Sequence, residues 1–137
     1  MSPAFADRLR KNARHLGRWA ERAGVTAWRT ESPAPKFGLV NELLASSAPE
    51  RHDVVLVCDD DITMPEGFLD RYLDVVERRD LALAQPARSH DSCTDHAIVE
   101  QLEGLEARAT RFVEIGPVFS MRKDVLPLLA PFDLSSP

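Results

Sequence analysis

The amino-acid sequence predicts an α/β domain built on a mostly parallel sheet with helices on both faces. Amphipathic segments with helical spacing alternate with short apolar runs along the chain, which is the order expected of an α/β domain. The apolar run Val54–Cys58 is continuous rather than alternating, as in a central parallel strand that is covered on both faces. No internal repeat or linker divides the 137 residues, so we expect one domain across residues 1–137.

Each element of this prediction rests on its own local pattern. Helices are predicted where apolar residues recur every three or four positions, and strands where β-branched or apolar residues cluster between turn residues. The resulting order is a helix over residues 2–24, a strand over 25–29, a helix over 36–47, a strand over 54–58, a helix over 65–79, a strand over 81–84, a helix over 96–110, one or two strands within 111–120 and a short helix over 122–130.

Composition and charge exclude several classes of protein. The chain is 44% hydrophobic and 28% charged, which argues against both a disordered tail and a membrane protein. It has 17 basic against 22 acidic residues and a net charge of -5, so we expect no nucleic-acid partner. Cys58 and Cys93 form no CxxC pair and predict free thiols. We find no signal-like run near the start and no transmembrane-length apolar stretch, and we expect a cytoplasmic protein.

Three adjacent carboxylates, Asp59, Asp60 and Asp61, follow the strand Val54–Cys58 directly. Ligands of open α/β sheets bind beyond the carboxyl ends of the strands. Crowded carboxylates repel one another unless a cation or hydrogen-bond donors neutralise them, and Mg²⁺ or Mn²⁺ prefers oxygen ligands completed by phosphate and water. In extended backbone Asp59 and Asp61 face the same way. The cluster therefore predicts a divalent-metal site that holds a diphosphate, although a helix cap or a solvated turn would have the same sequence.

Two sets of residues resemble a known family. The segment over residues 54–64 resembles the strand and Asp-x-Asp motif of glycosyltransferases of the GT-A fold, and Lys36 with Asn41 resembles the Lys-x-x-x-x-Asn helix of family 2 members. The closer likeness is to the family called domain of unknown function 707. Its pattern is matched by Leu-Ala-Leu-Ala-Gln-Pro-Ala over residues 81–87, by His96, and by Phe-Val-Glu-Ile-Gly-Pro-Val-Phe-Ser over 112–120. The resemblance covers roughly residues 36 to 133.

The resemblance implies a metal-dependent glycosyltransferase that binds a nucleotide-sugar donor and an acceptor of unknown identity. Glu114 would be the base that takes the proton of an acceptor hydroxyl, and residues 112–120 would line the acceptor side. Glu114 is equally compatible with an exposed carboxylate beside a strand, Lys36 with a solvated helix start, and Gln85 with a simple turn. The implied metal ligands for Mn²⁺ or Mg²⁺ are Asp59, Asp61 and His96, and the implied donor-binding residues are Lys36, Asn41, Asp59, Asp60 and Gln85.

The chain departs from the GT-A pattern at both ends. It opens with the helix that follows the first strand and base-binding loop of these enzymes, and the usual downstream Trp-Gly-x-x-Asp-like segment is absent. The resemblance therefore implies an incomplete GT-A-like domain. Whether such a chain catalyses transfer by itself is left open by the sequence.

Two other hypotheses fit parts of the sequence. Residues 54–63 also resemble the opening motif of haloacid-dehalogenase-like phosphatases, with Asp59 as nucleophile, Asp61 as acid and base, and Mg²⁺ as cofactor. That family needs a later lysine and a further acidic pair, and the only lysine after Asp61 is Lys123, followed by Asp124. The other hypothesis is a non-catalytic domain that keeps the fold without a full site. The run over residues 90–96 matches no zinc pattern and predicts a polar loop.

Overall fold

The computed structural model describes residues 35–59 and 62–135. The predicted helix over 2–24 and the strand over 25–29 lie outside these residues. The elements are α1 (Lys36–Ser47), a 3-10 turn (Pro49–Arg51), β1 (Val54–Cys58), α2 (Phe68–Arg78), β2 (Leu83–Ala84), a second 3-10 turn (Ala97–Val99), β3 (Val118–Arg122) and α3 (Leu126–Leu129). The predictions of α1, β1, α2 and β2 are confirmed to within a few residues.

The prediction of a mostly parallel sheet is wrong for the described part of the chain. The sheet has three strands in the order β1-β3-β2, and both pairings are antiparallel. The central strand is β3, whose residues 118–121 are buried, whereas residues 54–57 of β1 are only partly buried. The continuous apolar run of β1 predicts burial on both faces, and this prediction is not met. A strand at the border of a small sheet can carry the same run, because the pattern of one strand does not specify its neighbours.

The outer strands nevertheless share one direction. Since β1 and β2 each run antiparallel to β3, they run parallel to each other, and α2 forms the connection between them. Their carboxyl ends therefore lie at the same edge of the sheet as the amino end of β3. We call this edge the rim; it comprises Asp59 after β1, Gln85 after β2, and residues 114–117 before β3. A hydrogen bond of 2.8 Å from Asp59 N to Pro117 O closes the pairing there.

The main core lies on one face of β3. Phe119, Met121 and Leu126 are buried with 1%, 0% and 6% of their surface exposed, and side chains of α1, β1 and the carboxyl-terminal segment pack against them. The Phe132 ring lies 5.0 Å from that of Phe37 and 6.3 Å from that of Phe119. These contacts place α1 and α3 over the same face of the sheet.

The other face of β3 packs against α2. Side chains alternate along a strand, so Ser120 points away from Phe119 and Met121, and its hydroxyl lies 2.8 Å from the Tyr72 hydroxyl of α2. Helices therefore cover both faces of the sheet, as the sequence predicted.

The predicted helix over residues 96–110 is wrong. Only Ala97–Val99 forms a helical turn, and the backbone that follows pairs with Arg88 instead, through Arg88 N to Val99 O at 2.7 Å and Gln101 N to Arg88 O at 3.0 Å. Gly104 has a left-handed φ of 75°. Backbone groups that are satisfied by a distant residue do not build a helix, and helical spacing of apolar residues cannot reveal such a partner.

Among the helices of residues 35–59 and 62–135, none has the length and apolar composition needed to cross a bilayer. Cys58 and Cys93 are both exposed.

Tyr72 should titrate well above an ordinary tyrosine. Burial raises its pKa to about 12, against the opposing effect of the Ser120 hydrogen bond, whereas an unfolded tyrosine titrates near pH 10. Because the folded pKa is the higher one, the proton-linked stability is fully present below about pH 10 and is lost as the pH rises towards 12. Tyr72 is the one tyrosine of the chain, so phenolate absorbance reports on it alone.

The control is Ser120→Ala, which removes the contact that lowers the Tyr72 pKa and should move the absorbance midpoint still higher. A wild-type midpoint near 10 in the folded protein would contradict the packing of α2 on β3.

Candidate functional site

One half of the rim is an ion pair between α1 and the end of β1. Lys36 Nζ lies 2.5 Å from Asp59 Oδ1, and the same nitrogen donates to the Ile115 carbonyl at 3.3 Å. A Cβ on Gly116 would lie 3.9 Å from Lys36 Nζ and 4.0 Å from Asp59 Oδ2. The first residue of α1, the residue after β1 and the segment before β3 therefore meet at one point. Two of the predicted donor-binding residues, Lys36 and Asp59, are brought together.

The ion pair gives Asp59 a counter-charge from within the protein, whereas the sequence predicts a metal ion in that role. Lys36 supplies a counter-charge to Asp59, so Asp59 does not need a metal ion for neutralisation. Both side chains are about one third exposed, where an ion pair contributes little to stability and can rearrange. Asp60 and Asp61 lie outside the described residues, so the metal set of Asp59 and Asp61 stays a prediction. Within residues 35–59 and 62–135, no three metal-ligating side chains cluster together.

The other half of the rim centres on Glu114. Arg88 Nη2 donates to Glu114 Oε1 at 2.8 Å and to the Gly116 carbonyl at 2.9 Å, while its Nη1 donates to the Cys93 carbonyl at 2.7 Å. The Arg88 and Glu114 side chains are only 15% and 20% exposed. A partly buried, charge-assisted contact of this kind is stronger than one at the surface. Arg88 therefore holds Glu114 in place and joins three stretches of backbone.

Arg88 was missed by the sequence analysis. It lies in a segment without regular structure and matches no motif, and its partner Glu114 is 26 residues away. The sequence offers only a weak indication of this role. Arg88 follows Gln85 by three residues, and a partly buried Glu114 would need a cation beside it.

Two buried oxygens at the rim lack a hydrogen-bond donor among the described residues, Glu114 Oε2 and Gln85 Oε1. His96 Nδ1 lies 3.7 Å from Glu114 Oε2, which is too far for a hydrogen bond. Leaving a buried acceptor unsatisfied costs free energy. Because both oxygens are buried, a ligand hydroxyl would reach either of them only after a neighbouring side chain moves.

His96 is placed near Glu114. Its side chain is 60% exposed, and its ring packs edge-on against Phe112 at 6.5 Å between centroids. No contact of the described residues joins His96 to Asp59. Its position fits an interaction with the acceptor side, and its predicted role as a metal ligand stays a prediction.

Asn41 has a structural role in this fold. Its Nδ2 donates to the Phe132 carbonyl at 2.9 Å, and its Oδ1 accepts from Phe132 N at 2.7 Å. Both polar atoms of the amide are thus engaged with the backbone of the segment that packs on the core. The structure does not bring Asn41 into contact with Lys36, Asp59 or Glu114.

The rim as a whole has two chemically different halves on either side of residues 114–116. One half, Lys36 with Asp59, has a cation and a carboxylate suited to phosphate and metal binding. The other half, Glu114 with Gln85 and His96, has acceptor oxygens suited to hydroxyl groups. No family model, curated protein or solved structure matches the chain.

Asn41→Ala should destabilise the fold. It leaves the Phe132 N–H and carbonyl without partners in a partly buried place, which costs about 1–3 kcal/mol, and chemical denaturation measures this loss. Glu42→Ala, at the exposed neighbouring position of α1, is the matched control and should change the free energy of unfolding by less than about 0.5 kcal/mol. Unchanged stability together with weakened nucleotide binding would instead assign Asn41 to the ligand.

Proposed function

We propose that this chain is a glycosyltransferase-like domain of the GT-A type, which binds a nucleotide-linked sugar at the rim and presents it to an acceptor hydroxyl. One observation carries the proposal: cations attach both Asp59 and Glu114 to the short segment before β3, Lys36 at the Ile115 carbonyl and Arg88 at the Gly116 carbonyl. Glu114 also keeps one buried oxygen without a donor among the described residues. Two carboxylates so placed suit a donor diphosphate on one side and an acceptor on the other.

The donor half would be formed by Asp59, Asp61 and Lys36. Carboxylate oxygens are the ligands that Mg²⁺ and Mn²⁺ prefer, and Asp59 is partly exposed at the carboxyl end of β1, so this residue fits such an ion. When bound, the metal would stabilise the negative charge that develops on the departing nucleoside diphosphate. Lys36 would then turn from Asp59 to a phosphate oxygen, a short movement for a lysine that is about one third exposed.

The acceptor half would be formed by Glu114 and Gln85. In the transfer, the bond from the sugar to the diphosphate breaks, the diphosphate leaves with the electron pair, and the acceptor oxygen bonds to the sugar. The acceptor proton passes to Glu114 Oε2, which is the oxygen that Arg88 leaves unused. Because Arg88 holds Oε1, the carboxylate is oriented before the acceptor arrives. Gln85 Oε1 would accept a hydroxyl of the bound sugar.

The phosphatase hypothesis receives less support. It needs a lysine from later in the chain beside Asp59, whereas the lysine that lies there, Lys36, precedes the motif. The later lysine, Lys123, pairs with Asp53 at 2.7 Å, at the opposite end of β1. Six residues of extended strand separate Asp53 from Asp59, about 20 Å. Asp124 is likewise engaged by Arg122.

The non-catalytic hypothesis is favoured by one observation, the Lys36–Asp59 ion pair, which neutralises Asp59 without a metal.

Mn²⁺ should raise the affinity of the chain for a nucleoside diphosphate by about tenfold or more. Asp61→Ala should remove this gain while the chain stays folded, because it deletes a carboxylate oxygen that the metal would need. Asp70→Ala, an exposed aspartate of α2, is the matched control and should leave the gain unchanged. Calorimetry with and without Mn²⁺ measures both. Binding that does not depend on metal, or no binding, would exclude the donor site.

Glu114→Gln should lower the rate of transfer by about 10²–10⁴-fold with donor affinity unchanged, since the amide keeps the shape of the side chain but cannot take the proton. The assay follows nucleoside diphosphate released from a panel of sugar nucleotides. Release of inorganic phosphate alone would point to the phosphatase hypothesis. Absence of any release, together with metal-dependent nucleotide binding, would point to the non-catalytic one.

A further inference from the structure

A groove of about 630 Å³ runs between α2, β2 and the irregular segment over residues 98–113. Its walls include four large apolar side chains that are 37% to 55% exposed. These are Leu83, Leu102, Leu105 and Phe112. Exposed apolar side chains that lie singly need no explanation, but a contiguous set around a concave surface marks a binding site. The groove shares Gln85, Phe112 and Val113 with the predicted acceptor side and uses none of the other residues assigned to the donor or the acceptor.

The acidic residues of the groove wall are largely neutralised by cations outside it. Asp80 pairs with Arg122, and Glu106 pairs with both Arg78 and Arg79, at 2.7 and 2.6 Å. Glu106 is therefore neutralised, whereas Asp80, which is 89% exposed, shares its cation with Asp124.

The basic residues of the wall are not neutralised in this way. Arg71 and Arg111 make no ion pair with any other residue that the structure describes, and Arg108 binds only backbone carbonyls, among them that of Glu100 at 3.2 Å. Glu100 is the one wall carboxylate outside an ion pair in the described chain, and it accepts a hydrogen bond from Thr94 at 3.3 Å. The wall thus has three arginines and three carboxylates, but Arg71 and Arg111 have no ionic partner among the described residues, whereas Glu106 is paired with two cations.

The two arginines without an ion pair and the two leucines Leu102 and Leu105 lie at different ends of the groove. At the rim end, the Arg71 guanidinium lies against Gly67, where a Cβ would be 3.2 Å from its Nη1. Arg111 precedes Phe112, whose ring contacts His96 beside Glu114.

At the far end, Leu105 and Leu102 adjoin Glu106, which is bound to the last turn of α2. Arg71 and Arg78 are seven residues apart, about 10 Å along the helix axis. The two arginines without an ion pair therefore lie towards the rim, and Leu102 and Leu105 lie towards the last turn of α2.

We infer that this groove binds a single-chain amphiphile with a phosphate head group. The alkyl chain would lie along Leu83, Leu102 and Leu105, and the phosphate would meet the guanidinium groups of Arg71 and Arg111, which suit phosphate geometry. Burial of methylene groups would supply most of the affinity, and the two arginines would set the direction of the ligand. The site is separate from the donor half of the rim, and binding there needs no metal ion.

The test is calorimetric titration of the full chain with n-decyl phosphate, below its critical micelle concentration and without metal. We expect saturable binding. Arg71→Gln combined with Arg111→Gln should weaken it by at least about tenfold, and Leu105→Glu should abolish it. All three positions are exposed or partly exposed, so the variants should keep the wild-type circular dichroism.

The matched controls lie outside the groove. Leu128→Glu, at an apolar residue that is 81% exposed, and Arg51→Gln, at an exposed arginine, should leave the affinity unchanged. Decyltrimethylammonium should bind at least about tenfold more weakly than decyl phosphate, and inorganic phosphate should not bind measurably.

Several outcomes would overturn the inference. Equal affinity for the cationic and the anionic amphiphile would mean that the arginines play no part. Equal loss from Leu128→Glu and Leu105→Glu would mean unspecific adsorption. If sedimentation shows that decyl phosphate binds only by separating two copies of the chain, the groove is a contact between copies and the lipid-phosphate site is wrong.

Discussion

The position of β3 between β1 and β2 is the constraint on which the rest of the structure depends. The two outer strands do not touch each other, yet they keep a common direction because both are hydrogen-bonded to β3. Phe119 and Met121 anchor β3 in the main core, while Ser120 binds α2 on the other side. This one strand therefore sets the direction of the sheet, separates the two helical layers and delivers residues 114–117 to the rim.

Electrostatics at the rim follows from this arrangement. The backbone that enters β3 passes between a lysine from α1 and an arginine from the segment after β2, and each cation binds both a carboxylate and a backbone carbonyl. Each of the two carboxylates, Asp59 and Glu114, is therefore paired with its own cation, and each cation is shared with the backbone before β3.

The local elements were predictable because their signals are local. The apolar run of β1, the Pro65 and Gly67 start of α2 and the apolar face of α1 depend on neighbours within a few positions. The pairing of strands was not predictable in the same way, because the apolar run of β1 is compatible with parallel or antiparallel partners. The prediction of a helix over residues 96–110 was wrong for a related reason. Arg88 is hydrogen-bonded to the backbone of this segment, and the spacing of apolar residues carries no information about such a distant partner.

The candidate site shows the same division. The residue type of Asp59 and its place after β1 predict a ligand site, and Asp59 lies at the rim. Lys36, Gln85 and Glu114 are implied by the family resemblance; Gln85 and Glu114 lie at the rim, and Lys36 binds Asp59 there. Asn41 was chosen by motif likeness, and the structure gives its amide to the backbone of Phe132. Arg88 could not be found from the sequence, since its role arises from three contacts with segments that are remote along the chain.

The double attachment of Lys36 has one further consequence. Its ammonium group holds the Ile115 carbonyl as well as Asp59, and Ile115 adjoins Glu114. An incoming anion that recruits this ammonium would release the peptide next to Glu114 at the same moment. The end of β1 and the segment before β3 would then loosen together, because a single lysine side chain fastens both.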